Sequence, residues 1–328
     1  MDETVSMPTD SIKGLILAGG RGKRFDALTM RTPKPLLPIA GKPLIHYNIN
    51  LLADAGVTDI TIVVSPDSFL VKERLGDGSQ LDVNLSYIVQ KDHLGTAHAI
   101  GLAESAMDGG TFLICWSDNM TTWSVKNLVA RHRENPEAGT LALHVTDDAR
   151  KGGAAVVDGD YVIKFDEKPD RPESNLNLAG MYILEPIIFD AISKTKPSKT
   201  GEYYLPDSFQ ILVDQGDPLQ WVPVDDWRMN VNDIGDLLLA NRMILSRSAV
   251  APLSADHFDV VGAVKIPECA IVGEGAVVGP DVSLGNGCTI GAGGKVSNAI
   301  LMDGATIANN DQVHGAIVDD MGRSYPAA

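Results

Sequence analysis

The sequence predicts an α/β domain built on a mostly parallel, mixed sheet, followed by a short parallel β-helix. Three observations carry that reading. Apolar, strand-like runs alternate with helically spaced segments up to residue 245. From Val260 onward, aliphatic residues recur at every sixth position. The first apolar run, Leu15–Ala18, empties directly into the glycine-rich turn Gly19-Gly20-Arg21-Gly22.

Taken in order, the strand candidates are Leu15–Ala18, Ile60–Val64, Leu85–Val89, Thr111–Cys115, Thr140–Val145, Met181–Leu184 and Trp221–Pro223. Each is short and apolar, as in a sheet covered on both faces. Between them, Pro43–Ala55, Thr96–Met107, Ser124–His132 and Asp207–Gln215 place apolar residues at helical spacing, and a further helix is expected over Leu237–Leu245. Ligands of such sheets sit at the carboxyl ends of the strands, where both the glycine turn and Trp116-Ser117-Asp118 fall.

The six-residue repeat runs through Val260, Ile266, Val272, Val278, Leu284, Ile290, Val296 and Met302. Small or aliphatic residues stand four positions later, at Val264, Ala270, Ala276, Val282, Cys288, Gly294, Ile300 and Thr306. Hexads of this kind wind into a parallel β-helix, each turn adding aliphatic side chains to a central column. These hexads make fewer than three coils at about eighteen residues each, short for a solenoid that stands alone. The repeat is therefore expected to lean on a neighbour. So few coils leave little room for the groove of a hexapeptide acyltransferase, and His314 is the one candidate base there.

Composition narrows the function classes. The 328 residues are 44% hydrophobic and 21% charged, with a formal net charge of −16. That charge repels nucleic-acid backbones and anionic membranes, so neither is an expected partner. No run of about eighteen apolar residues occurs, and the opening Met1–Ser11 is polar and acidic rather than signal-like. A cytoplasmic protein is expected. Cys115, Cys269 and Cys288 are scattered, suggesting neither a disulfide framework nor a thiolate zinc site.

Against this acidic background, Arg21, Lys23 and Arg24 form a local basic exception beside the glycines. Glycines without side chains let backbone N–H groups approach phosphate oxygens. The spacing matches neither a Walker loop nor a dinucleotide fingerprint, since Gly20-x-Gly22 is followed by Phe25 and no Ser or Thr follows a Gly-Lys pair. Downstream, Pro33 and Pro35 bracket Lys34, which is expected to follow an extended path that aims its ammonium.

Together, these motifs resemble the sugar-1-phosphate nucleotidyltransferases. The resemblance runs through Leu15-Ile16-Leu17-Ala18-Gly19-Gly20-Arg21-Gly22-Lys23-Arg24, Pro33-Lys34-Pro35-Leu36-Leu37-Pro38, Gln90 with Gly95-Thr96-Ala97, Ser117-Asp118-Asn119, Glu167-Lys168-Pro169, and Ser174-Asn175-Leu176 leading to Ala179-Gly180-Met181-Tyr182. It is strongest toward thymidylyl- and uridylyltransferases acting on glucose 1-phosphate, some of which carry a hexapeptide tail. It implies a tail at 1–11, a Rossmann-like nucleotidyltransferase domain at 12–248, a linker at 249–259, a left-handed β-helix at 260–318 and a C-terminal tail at 319–328. A homo-oligomer is also implied.

The implied reaction is attack of a sugar-1-phosphate oxygen on the α-phosphate of an NTP, assisted by Mg2+, with release of pyrophosphate. Such transfers rest on positioning and charge neutralisation. By resemblance, Arg24 holds the triphosphate, Lys34 neutralises the α-phosphate and sugar phosphate, and Asp118 holds Mg2+. Leu17, Ala18, Gly19, Gly20, Arg21, Gly22, Gln90, Gly95 and Thr96 would bind the nucleotide, with Gln90 pairing to the O4/N3 edge of uracil or thymine. Ala155, Glu167, Lys168, Asn175 and Gly180 would hold the sugar phosphate. Asn230 and Asn232 join Asp118 as metal-ligand candidates.

Three positions depart from the family pattern. Ser117 replaces a glycine before the aspartate; Ala155 replaces a glycine facing the sugar, where its methyl is expected to narrow the pocket; and Asn230 replaces an aspartate. These departures leave two alternatives open: a catalytically silent, ligand-sensing subunit, or an enzyme for a different phosphate such as a heptose, an amino sugar or phosphocholine.

Overall fold

The computed structural model describes residues 12–20, 22–247 and 257–327. The expected tail at 1–11, Arg21 and most of the expected linker lie outside the described residues. The chain forms two compact units, one drawn from Met1–Gly20 and Tyr47–Arg228, the other from Arg21–His46 and Met229–Ala328. Among the described residues, no helix is long and apolar enough to cross a membrane.

The first unit is organised by a nine-stranded sheet. Its strands in chain order are β1 (Lys13–Ala18), β2 (Asp59–Val64), β3 (Asn84–Val89), β4 (Phe112–Trp116), β5 (Gly139–Val145), β6 (Gly153–Asp158), β7 (Tyr161–Glu167), β8 (Leu176–Leu184) and β9 (Leu219–Pro223). Their spatial order is β3-β2-β1-β4-β8-β5-β9-β7-β6. The half comprising β3, β2, β1 and β4 is wholly parallel. Beyond it, β8 runs antiparallel to both β4 and β5, and β6, β7 and β9 form antiparallel pairs through β7. The sheet is therefore mixed, with its parallel character concentrated on one side.

Burial explains why the apolar runs become strands. Leu15, Ile16, Ile60, Ile62, Val63, Leu113 and Ile114 are completely buried, as expected for strands covered on both faces. The expected helix over Thr96–Met107 breaks into two, Thr96–Gly101 and Glu104–Met107. The β6–β7 hairpin is absent from the sequence reading. Its alternation is interrupted by a bulge between Val162 and Lys164, which breaks the period-two signal.

The second unit contains the expected parallel repeat. Asp259 pairs with Val277, Val264 with Val282, and Ile271 with Thr289, all in parallel and eighteen residues apart. The interval then shortens by one residue: Val282 pairs with Ala299, and Thr289 with Thr306. Four residues separate Val278 from Val282, but only three separate Val296 from Ala299. The expected core column is corrected accordingly. Ala299, Leu301, Ala305 and Ile307 occupy it, rather than Ile300, Met302 and Thr306.

The displaced Ile300 is nonetheless buried, in a row with Ser283 and Ile317. That row lies on strands contacted by helix α1 (Ile234–Arg247), whose completely buried Asn241 bonds Ser283 Oγ at 2.8 Å. The neighbour on which the short repeat leans is thus a helix of its own unit. The same Asn241 Oδ1 accepts from the Ala40 N–H at 2.8 Å, and its Nδ2 donates to the Asp281 carbonyl at 3.2 Å. Ala40 (φ 47°) and Gly41 (φ 76°) turn the small hairpin that pairs Pro38–Ile39 with Lys42–Pro43. Two positive φ angles in succession are what a two-residue hairpin turn requires. Arg31 forks onto both carboxylate oxygens of Asp320, at 2.9 and 3.2 Å, and fixes the segment carrying Lys34 to the same unit.

Candidate active site

Three of the features expected from sequence leave the first unit's sheet at one end. Gly19 and Gly20 follow β1, Gln90 follows β3, and Ser117 and Asp118 follow β4; these strands run parallel, so all three features emerge at carboxyl ends. The Ser117 N–H donates to the Leu17 carbonyl at 3.0 Å, tying two of these exits together. The side chains of Leu17 and Ala18 are buried in the core, leaving only their backbone for a ligand.

Gln90 is 5% exposed. Its Nε2 donates to the Gly95 carbonyl at 3.3 Å and lies 3.1 Å from His98 Nδ1, while a Cβ added to Gly19 would stand 2.9 Å from its Oε1. Gly20 faces open space where a side chain would be. Gly95 (φ 100°) is glycine for a local reason, because a Cβ there would meet the Tyr203 carbonyl oxygen at 2.4 Å. The hydroxyl of Thr96 accepts from the Leu205 N–H at 3.1 Å and so serves the start of the helix Leu205–Gln215.

Around the end of β4, the sequence reading missed a set of buried polar groups. Gly180 (φ 76°) lies within the register shift of β8, where a Cβ would come within 3.0 Å of Asn119 Nδ2. The neighbouring Ala179 carbonyl accepts from Asn119 Nδ2 and from Arg228 Nε, both at 2.7 Å. Burial holds the Arg228 guanidinium below its ordinary pKa, while Tyr182 and the Asp118 carboxylate pull it back up. A lone arginine or asparagine in sequence carries no sign of such a partner.

Glu167 ends β7 opposite Gly153. Burial raises its carboxyl above the ordinary range, opposed chiefly by Lys168, whose Nζ lies 3.6 Å from Glu167 Oε1 and over the Tyr204 ring. Lys168 adopts φ 49° and donates its N–H to Gly152. Asn175 is exposed, and its carbonyl receives the Thr146 N–H. Ala155 departs from expectation: it is completely buried in the apolar core, so its methyl fills core space instead of narrowing a pocket. Its carbonyl accepts from the Ser174 hydroxyl.

In the second unit, the basic candidates are positioned separately. Gly22 (φ 59°) caps the 3-10 helix Lys23–Leu28 and packs on Lys34, whose Nζ lies 5.9 Å from the Phe25 ring centroid. The extended path expected for Lys34 stops at Pro33 (ψ 139°). Lys34–Leu36 instead closes a 3-10 turn through the Leu36 N–H and the Pro33 carbonyl. Arg24 Nη2 donates to Asn232 Oδ1 at 3.0 Å, and Asn232 Nδ2 donates to the Asn230 carbonyl at 3.2 Å. The Asn232 N–H is in turn held by Asp236 at the start of α1.

These arrangements bear on a metal. Asp118 is the one carboxylate among the three ligand candidates, and an arginine occupies the Asn232 oxygen. Among the described residues, no group of three His, Cys, Asp or Glu side chains gathers for an ion. That donor set does not form a protein cage; it fits an ion carried in on a polyphosphate and touched by one carboxylate.

Comparison with known proteins agrees with the resemblance. The profile described as "Nucleotidyl transferase" matches residues 13–246, and that of the "GMPPB C-terminal domain" matches residues 260–323. A glucose-1-phosphate thymidylyltransferase of Streptomyces antibioticus is 30% identical over 309 residues, covering 93% of this chain and 85% of that one. Mannose-1-phosphate guanylyltransferase 1 of Arabidopsis thaliana is 28% identical over 317 residues, covering 94% and 86%. Among solved structures, a Bacillus anthracis chain in complex with sucrose superposes with a TM-score of 0.66 at 29% identity, covering 71% of this chain and 95% of that one. A UDP-glucose pyrophosphorylase with UDP-glucose shares the fold, with a TM-score of 0.65 at 23% identity over 73% of this chain and 100% of the other.

Proposed function

Because the chain belongs to the sugar-1-phosphate nucleotidyltransferase family, we propose that it joins the nucleotidyl group of dTTP or UTP to glucose 1-phosphate, releasing pyrophosphate. The observation that carries this reading is the grouping of Gly19-Gly20, Gln90 and Asp118 at the carboxyl ends of three parallel strands. A sugar-phosphate oxygen forms the new bond to the α-phosphorus as the bond to the β-phosphate oxygen breaks, and the electron pair leaves with pyrophosphate. Lys34 neutralises the reacting phosphates, Arg24 binds the triphosphate, and Glu167 accepts hydrogen bonds from sugar hydroxyls. Mg2+ carried by the nucleotide and met by Asp118 would neutralise phosphate charge. The parallel repeat is read as a short left-handed β-helix with a structural role, and the enzyme as cytoplasmic.

The test is pyrophosphate release with Mg2+, pairing dTTP, UTP and GTP with glucose 1-phosphate and mannose 1-phosphate, since relatives include guanylyltransferases. Lys34→Ala should lower turnover by about a hundredfold or more while keeping the fold. No turnover by the unaltered chain across that panel would reject an active enzyme and favour the ligand-sensing alternative.

A further inference from the structure

We infer that His98 is a positioning residue: with the Gly95 carbonyl, it locks the Gln90 amide so that only an acceptor faces the base. The nucleotides selected would be those whose base carries a ring N–H beside a carbonyl, namely uracil, thymine and guanine. This rests on the reading of Gln90 as the base-pairing residue, narrowed from the O4/N3 edge to the ring N–H, since no amide hydrogen is left for O4. A carbonyl can only accept, so the Gln90 atom 3.3 Å from the Gly95 oxygen is the amide nitrogen. That same nitrogen lies 3.1 Å from His98 Nδ1, so Nδ1 must accept from it.

Both amide hydrogens are thereby engaged, and Oε1 is turned toward Gly19. Among the described residues, Oε1 receives no hydrogen bond. A side chain at Gly19 would cover it, since a Cβ there would stand 2.9 Å away. The glycine and the histidine thus serve one oxygen: Gly19 leaves it uncovered, and His98 keeps it from exchanging places with nitrogen. Cytosine and adenine present a lone pair where uracil, thymine and guanine present N–H. Against a fixed acceptor, that lone pair is left unpaired and desolvated, which is how a polar site rejects a near-isostere.

With His98 replaced by an apolar residue, Nε2 keeps only the longer bond to Gly95, and the amide can turn over. The test is equilibrium binding of UTP, dTTP, GTP, CTP and ATP to the full chain, without sugar phosphate. The unaltered chain should favour the first three over the last two by about tenfold or more. His98→Leu should shrink that preference to below about threefold, chiefly by strengthening CTP and ATP relative to UTP. His98→Asn, which retains an acceptor, should restore most of it.

A merely structural histidine would weaken all five nucleotides together. If His98→Leu does not fold, Gln90→Leu must abolish the preference and His98→Asn must keep it. An unchanged ratio in His98→Leu, or no preference in the unaltered chain, overturns the inference. Binding with the expected preference but without turnover would sink the enzyme reading and leave the role of His98 standing; failure to bind any of the five would sink both.

Discussion

Asn241→Ala should be among the most damaging single substitutions in the second unit. Asn241 is completely buried, and its amide joins three parts of the chain: the Ala40 N–H, the Ser283 hydroxyl and the Asp281 carbonyl. Alanine removes the oxygen that accepts from both the Ala40 N–H and the Ser283 hydroxyl. Each buried donor left unpaired costs about 1–2 kcal/mol, and the empty amide volume adds a cavity term, for a total of about 3–4 kcal/mol. For a chain of this size that corresponds to a fall in Tm on the order of 10 °C. Thermal unfolding by calorimetry, with urea unfolding as a second probe, measures it directly. Asn241→Asp, which retains the acceptor but loses the donor, should fall between the two. A loss below about 1 kcal/mol in Asn241→Ala would refute the view that this amide holds the Ala40 turn to the parallel strands.

Gly95→Ala should destabilise by about 3 kcal/mol or more, because the new methyl meets the Tyr203 oxygen at 2.4 Å and φ is 100°; circular dichroism melts check this. Glu167→Gln should raise Tm at neutral pH by a few degrees while lowering turnover. Burial raises the Glu167 pKa, so stability is full below the ordinary carboxylate value and is lost as pH rises through the raised one, a slope the Gln variant should lack in melts across pH 4 to 8. Glu185 is the opposite case. Its hydrogen bond from His132 lowers its pKa, so its contribution is present above the ordinary value and lost as pH falls through the lowered one. Glu185→Gln should therefore flatten the acid limb of the stability curve.

What the sequence made legible follows from which physical signals are local. The strands β1, β2, β4 and β5 are short apolar runs that are largely buried, β3 is a half-exposed edge strand, and the sequence reading locates all five. The β6–β7 hairpin escaped because its bulge breaks the alternation, and the column of the parallel repeat slipped because one coil is a residue shorter. The placement of Gly19, Gln90 and Asp118 just past strand ends was readable because motif order follows the apolar runs. Arg228 and His98 were not, since their meaning lies in partners 110 and 8 residues away, Asp118 and Gln90. The local partners of Thr96 and Ala155 were hidden for the same reason, one bonding the start of a helix and the other packing in the core.

The grouping of Arg21–His46 with Met229–Ala328 also has a consequence for how the protein is made. About 180 residues are synthesised between these two stretches, which at ribosomal speeds takes roughly 10–40 s. The hairpin around Ala40 leaves the ribosome long before Asn241 exists to receive its N–H. The second unit therefore cannot close until translation is nearly complete, and a chimera that exchanges only the Met229–Ala328 stretch with a relative would inherit a hairpin matched to the wrong helix. A workable exchange carries both stretches together.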